Sequence, residues 1–257
     1  KGIFLEAGLA MILLTCNIGQ LASQVNASLC MLDYTDNYFA LFTLWVAMAI
    51  EFSGLLHASY LIQLAVAALA GKKIQSNEEP RSGIESIFFF GRCLASLAVL
   101  CFCLAVTFEA LFSGNTTMWE GVPAWLAVIV FFVLMSIVGM LEGMQVAFFA
   151  VAKLPASERG DSVFAVKTCN LLFKGDGYNM PAFMVGRQLC VVSCMFFIAR
   201  VTSLNYPEGE TIFGVSAGLQ SFFELGFLGA LITTILASIS WQLVASAFPM
   251  LFLSNPL

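Results

Sequence analysis

The sequence predicts an all-α integral membrane protein, a polytopic bundle of six transmembrane helices, and three observations carry that prediction. Hydrophobic residues make up 60% of the 257 and charged residues only 11%, with a mean hydropathy of +0.92; a water-soluble domain has no core large enough to use so much apolar side chain. The apolar residues gather into six stretches, each able to cross about 30 Å of hydrocarbon as a helix. Positive charge alternates from one connecting loop to the next, as insertion of successive helices requires. Period-2 alternation is absent, which argues against a transmembrane β-barrel.

In chain order the segments are Ile3 to Val25, Tyr38 to Gly71, Ile87 to Phe112, Ala124 to Ala152, Ala182 to Leu204 and Leu219 to Phe252. The second, at 34 residues, would be about 51 Å long as one straight helix, so it must tilt, protrude or break. Ser53-Gly54 is the candidate break. Lys72, Lys73 and Arg81 follow the second segment, and Lys153, Arg159, Lys167 and Lys174 follow the fourth. Loops 26–37, 113–123 and 205–218 hold no Lys or Arg but carry Asp33, Asp36, Glu120, Glu208 and Glu210. Both ends of the chain are therefore expected on the cytoplasmic side, with the plasma membrane as the expected location.

The net charge of −5 lies mostly in short loops and points to no nucleic-acid partner. Asn26-Ala27-Ser28 and Asn115-Thr116-Thr117 are glycosylation sequons in loops assigned to the outside. Six of the eight cysteines fall inside apolar segments, where cysteine behaves as a small hydrophobe, so neither a disulfide framework nor a metal centre is expected. HExxH and Walker A words are absent, and one histidine leaves few general bases, so an enzyme is not expected.

Two polar words interrupt the apolar text: Glu142-Gly143-Met144-Gln145 in the fourth segment and Gly186-Arg187-Gln188 in the fifth. An ionisable side chain in hydrocarbon costs roughly 2.5 to 3.5 kcal/mol even on insertion scales, so these residues either line a solute path or pair with each other. By rise per residue, Gln145 stands about 12 Å above the cytoplasmic end of its segment and Gln188 about 9 Å, with Glu142 at about 16 Å and Arg187 at about 8 Å. That difference is one a long arginine nearly spans, so a Glu142–Arg187 ion pair is expected. A third word, Cys30-Met31-Leu32-Asp33, sits in an outside loop.

Together EGxQ, GRQ and CMLD resemble the silicon (silicic acid) transporter family of diatoms, letter for letter. The resemblance implies secondary active transport, a symport of silicic acid coupled to sodium ion that supplies biosilicification, with no other cofactor. It also implies substrate binding by Glu142, Gly143, Gln145, Gly186, Arg187 and Gln188. The residue chemistry agrees: silicic acid is small, uncharged and polyhydroxylic, glutamine amides both donate and accept, a carboxylate accepts and a guanidinium donates. Gly143 and Gly186 permit close backbone approach. The glutamines also have a second reading, as hydrogen-bonding glue between helices. A passive channel or facilitator for small neutral polyhydroxy solutes is the alternative function. Candidate ion-coupling residues are Glu51 and Ser53 beside the expected break, with His57 at i+6, and Thr233 and Thr234. Cys30 to Asp33 is a family marker without assigned chemistry, since one thiol and one carboxylate cannot fill a tetrahedral zinc site.

The chain opens with Lys and stops just after a helix, which predicts an internal piece of a longer polypeptide. Phe4-Leu5-Glu6-Ala7-Gly8 matches Phe222-Phe223-Glu224-Leu225-Gly226, and Gln20-Leu21-Ala22-Ser23 matches Gln242-Leu243-Val244-Ala245-Ser246 with one residue inserted. Five crossings separate the matched helices, so they run in opposite directions, as in the inverted repeats of secondary transporters. The resemblance implies ten helices in two five-helix units. Residues 1–71 would then be the last two helices of the first repeat, and 72–257 the first four of the second (87–112, 124–152, 182–204 and 219–252). Oligomeric state is not legible.

Overall fold

The structure, a computed structural model, describes residues 14–74, 81–155, 159, 162–175, 179–207 and 209–254. Helices account for the named elements, and no strand occurs among the described residues. The chain enters through a π-helical turn, Thr15–Leu21, that runs into α1 (Ala22–Leu29) and a short α2 (Met31–Thr35). α3 (Tyr38–Ser53) and α4 (Ala58–Leu69) follow, then α5 (Gly83–Phe112) and α6 (Ala124–Ala152). α7 (Val163–Leu172) and α8 (Met180–Thr202) come next. The last stretch is α9 (Ala217–Glu224), α10 (Phe227–Thr233), a second π-helical segment (Thr234–Ile239), α11 (Ser240–Ala247) and α12 (Pro249–Leu253).

Among the described residues, four helices are long and apolar enough to cross a membrane: α5, α6, α8 and the run Phe227–Ala247; the bent pair α3 plus α4 makes a fifth. The first predicted segment, Ile3 to Val25, falls largely outside the described residues. Three sequence boundaries change. The stretch Leu219 to Phe252 is not one helix. Gly226, at φ +81°, ends α9 in the left-handed region that glycine tolerates, and Phe248-Pro249 separates α11 from α12. Loop 153–181 is not bare loop, because α7 forms inside it and is tied to α8 by Asn179, whose amide nitrogen donates to the Leu171 carbonyl at 2.7 Å. The loops 113–123 and 205–218, both expected outside from their charge, meet: Thr117 N donates to Ser203 O at 3.0 Å and Asn205 N to Asn115 O at 2.9 Å. These two connections therefore lie at the same end of the bundle, as the charge pattern requires.

The 34-residue stretch breaks where expected, with a 74° bend between α3 and α4. Gly54 stands at φ +74°, and a Cβ there would come within 2.8 Å of Arg92 Cβ, so both backbone and packing demand glycine. Backbone groups freed by a break in hydrocarbon need partners, and α5 supplies them. Arg92 Nη1 donates to Phe52 O at 3.2 Å. Ser96 Oγ donates to Leu55 O at 2.6 Å and accepts from Ala58 N at 3.0 Å. α3 itself buries none of its residues; Phe39, Trp45 and Phe52 are among its exposed large side chains, the composition of a helix that meets lipid.

Lipid is as apolar as a leucine core, so close packing, more than hydrophobic burial, joins the helices. The main core joins α5, α6, α8, α10 and the second π segment around Phe131, Val138, Ile198, Ile232 and Ile235. Small residues allow the contacts. A Cβ on Gly139 would come within 2.3 Å of Trp241, one on Gly143 within 2.4 Å of Phe252, and one on Gly229 within 2.3 Å of Thr202. Gly139 and Gly143 are four residues apart on one face of α6, a small-xxx-small groove into which Trp241 and Phe252 fit. Ala147, one turn further, is fully buried against the same neighbours.

Candidate functional site

That groove sets the register of the site. Packing Trp241 on Gly139 and Phe252 on Gly143 brings the next residue along α11, Gln242, against the residue before Gly143, Glu142. Gln242 Nε2 donates to Glu142 Oε2 at 3.0 Å and reaches Ser238 Oγ at 3.4 Å. The other carboxylate oxygen of Glu142 accepts from Arg187 Nη1 on α8 at 2.9 Å, so the expected ion pair forms. Arg187 Nη2 donates to Gln188 Oε1 at 2.9 Å. Gln188 Nε2 donates to Gln20 Oε1, in the first π-helical turn.

The result is one chain of side chains, Gln20–Gln188–Arg187–Glu142–Gln242–Ser238, contributed by four helical segments. Its ionic pair sums to zero charge. Arg187 and Gln188 are each 4% exposed, and the Glu142 side chain 14%. A buried charge is tolerated only when paired and hydrogen-bonded, which every link here provides. One donor is left over: Arg187 Nε is buried without a hydrogen-bond partner, a state that Gln24 Oε1, His57 Nε2, Thr107 Oγ1 and Arg200 Nε share, and a donor so placed is open to a small hydroxylic ligand.

The six motif positions divide. Glu142, Arg187 and Gln188 are joined in the chain. Gln145 lies half-buried, one turn beyond Glu142 on α6, with no hydrogen bond to another described residue. Gly143 serves helix packing against Phe252, and Gly186 is exposed, with nothing within 4 Å of where a Cβ would stand. Sequence reading placed Gln20 and Gln242 only in the repeat and not at the site; their signal was that each opens the matched Q-L word.

The candidate ion-coupling residues form no single cluster. Glu51 approaches His57 Nε2 at 3.6 Å at the rim of a cavity of about 290 Å³ that Tyr60, Arg81 and Arg92 also line. Ser53 Oγ donates to Ile50 O at 2.6 Å, and Thr233 Oγ1 to Gly229 O at 2.9 Å, the bonding to their own helix that such side chains favour. Thr234 begins the second π segment. Of the carbonyls released at Gly54, Phe52 O is already taken by the Arg92 guanidinium. Cys30 forms the junction between α1 and α2, Met31 begins α2, and Leu32 and Asp33 lie exposed on it. No group of three His, Cys, Asp or Glu side chains with metal-site spacing occurs among the described residues. Arg200 lies over the Trp119 ring at 5.1 Å.

A helical bundle with membrane-length spans, one of them sharply bent, and a charge-balanced polar chain inside is the architecture of a polytopic membrane protein. The model of the silicon transporter family matches residues 1–257, and the chain belongs to that family. Membership implies transport of silicic acid. Neither the curated proteins nor the solved structures give a significant match.

Proposed function

We propose that the protein carries silicic acid by secondary active transport, as a symport with sodium ion, and that the solute binds beside the Glu142–Arg187–Gln188 chain. The observation that carries this reading is the buried guanidinium of Arg187, held at one edge by Glu142 and Gln188 while its Nε has no partner. A neutral solute whose hydroxyls both donate and accept matches such a site without disturbing its zero net charge. Gln145 offers a further amide one turn away, and Gly186 leaves the backbone open. An anion would meet the carboxylate of Glu142.

Interrupted membrane helices support the secondary-transporter reading. The bend at Gly54, the left-handed Gly226 and the π turns are the irregularities such carriers place around substrate and ion sites. The architecture proposed for the intact transporter is the 5+5 inverted repeat divided at residues 71 and 72, with the present chain ends cytoplasmic and the protein in the plasma membrane. Glu51, Ser53, Thr233 and Thr234 are the proposed sodium contacts. The hydroxyls of Ser53 and Thr233 give their protons to helix carbonyls, which leaves oxygen lone pairs for a cation.

The test is uptake of silicic acid into vesicles bearing the intact transporter, with and without an inward sodium gradient. Accumulation above the external concentration that collapses when sodium is replaced by potassium is the expected result. Downhill flux of equal rate in both salts would establish a facilitator instead.

A further inference from the structure

The hydrogen-bond chain does not end at the motif words. Each end is closed by a glutamine that belongs to neither word: Gln20 on Gln188, and Gln242 on Glu142. One lies within a π-helical turn and the other just beyond one. Gln20 lies inside the π-helical turn Thr15–Leu21. Gln242 follows three residues after the π-helical Thr234–Ile239, whose Ser238 it also meets. π turns are uncommon and recur at functional sites. The two glutamines also occupy matched places in the sequence, 222 residues apart, each at the head of a Q-L word.

Each amide is only half used within the chain. Gln20 accepts from Gln188 through Oε1, and no hydrogen bond links its Nε2 to another described residue. Gln242 donates through Nε2, and no hydrogen bond links its Oε1 to another described residue. Between them lies the buried, unpartnered Nε of Arg187. The open valences therefore sort by sign along the chain, with donors from Gln20 and Arg187 toward one end and an acceptor from Gln242 beside Glu142 at the other. Such a site prefers a neutral molecule with several hydroxyls, set apart so that some accept and others donate at the same time. A site built to hydrogen-bond a hydroxyl rejects an analogue that lacks it, because its own polar groups are then left unpaired.

We propose that Gln20 and Gln242 are specificity-determining residues of the solute site, reading hydroxyls of silicic acid as acceptor and donor from opposite ends of the Gln188–Arg187–Glu142 chain. The inference rests on the site assignment given under Proposed function and extends it to two residues outside the EGxQ and GRQ words.

The experiment uses the intact transporter in vesicles and measures KM and kcat for silicic acid together with inhibition by boric acid, a neutral acid with three hydroxyls in a plane instead of four in a tetrahedron. Gln20→Met and Gln242→Met keep the side-chain length and remove the amide; Gln188→Ala is run beside them. The expected result for each methionine variant is a KM raised about two- to tenfold, kcat near that of the wild type, a melting temperature lowered by the loss of one network hydrogen bond, and a reduced preference for silicic over boric acid. Should either methionine variant unfold, the asparagine variant at that position is used, and partial retention of preference is expected. Unchanged KM and preference in the methionine variants with a raised KM in Gln188→Ala would overturn this inference alone. Unchanged KM in all three would overturn the site assignment itself.

Discussion

Glu142→Gln is the sharpest perturbation of the polar chain, because it removes one charge while keeping shape. In the structure the Arg187 side chain is 2% exposed and its Nη1 lies 2.9 Å from Glu142 Oε1. Breaking a buried pair by removing one partner costs about 3 to 5 kcal/mol, mostly from the uncompensated charge left behind. Two features move the expectation to the lower end. A glutamine oxygen still accepts from Arg187, and Glu142 at 14% exposure is not fully withdrawn from solvent. The substituted amide then turns its nitrogen toward Gln242 Nε2, which must flip its own amide to avoid two donors facing each other. A loss of about 3 kcal/mol follows, roughly two powers of ten in the folding equilibrium. Detergent-solubilised protein followed by thermal or denaturant unfolding reads this directly. Combining it with Arg187→Gln replaces the ion pair by two amides, and the double variant should recover at least about 1 kcal/mol relative to the sum of the singles. Strict additivity of the two substitutions would refute the coupled pair.

Two further substitutions separate packing from site. Gly143→Ala places a methyl against Phe252, overpacking worth about 1 to 3 kcal/mol, whereas Gly186→Ala meets nothing and should leave melting temperature unchanged or higher by the helix preference of alanine; equal destabilisation of both by thermal unfolding would contradict the helix contacts. Ser96→Ala at the α3–α4 bend orphans Leu55 O and Ala58 N together, about 1 to 3 kcal/mol for each buried group, and hydrogen exchange should then show residues 54–58 opening ahead of the rest of the bundle.

Sequence and structure part company along physical lines. Hydropathy measures transfer into lipid, so it locates apolar stretches but is blind to dihedral angles. The stretch Tyr38 to Gly71 betrayed its break only through excess length. Leu219 to Phe252 is equally long at 34 residues, but length alone could not say that Gly226 would adopt φ +81°. α7 escaped notice because, although apolar, a ten-residue helix in a charged loop is too short to stand out as a span. At the site, rise per residue was sufficient to pair Glu142 with Arg187, since both lie on regular helices, α6 and α8, that are successive membrane-length spans. Gln20 and Gln242 were not reachable that way. Gln20 meets Gln188 across 168 residues, and Gln242 meets Glu142 only because Gly139 and Gly143 admit Trp241 and Phe252, a register that depends on helix–helix fit. Gly143 shows the converse, a motif residue whose glycine is explained by Phe252.

The central claim, that silicic acid binds beside the Glu142–Arg187–Gln188 chain, is tested most directly at Gln145. Its amide has no hydrogen-bond partner among the described residues, so removing it takes nothing from the structural network. In the intact transporter, Gln145→Ala should keep the melting temperature and expression of the wild type while raising the KM for silicic acid uptake about two- to tenfold, the loss of one neutral hydrogen bond of about 0.5 to 1.5 kcal/mol. Wild-type KM, or a loss of uptake that only follows a loss of stability, would contradict the account.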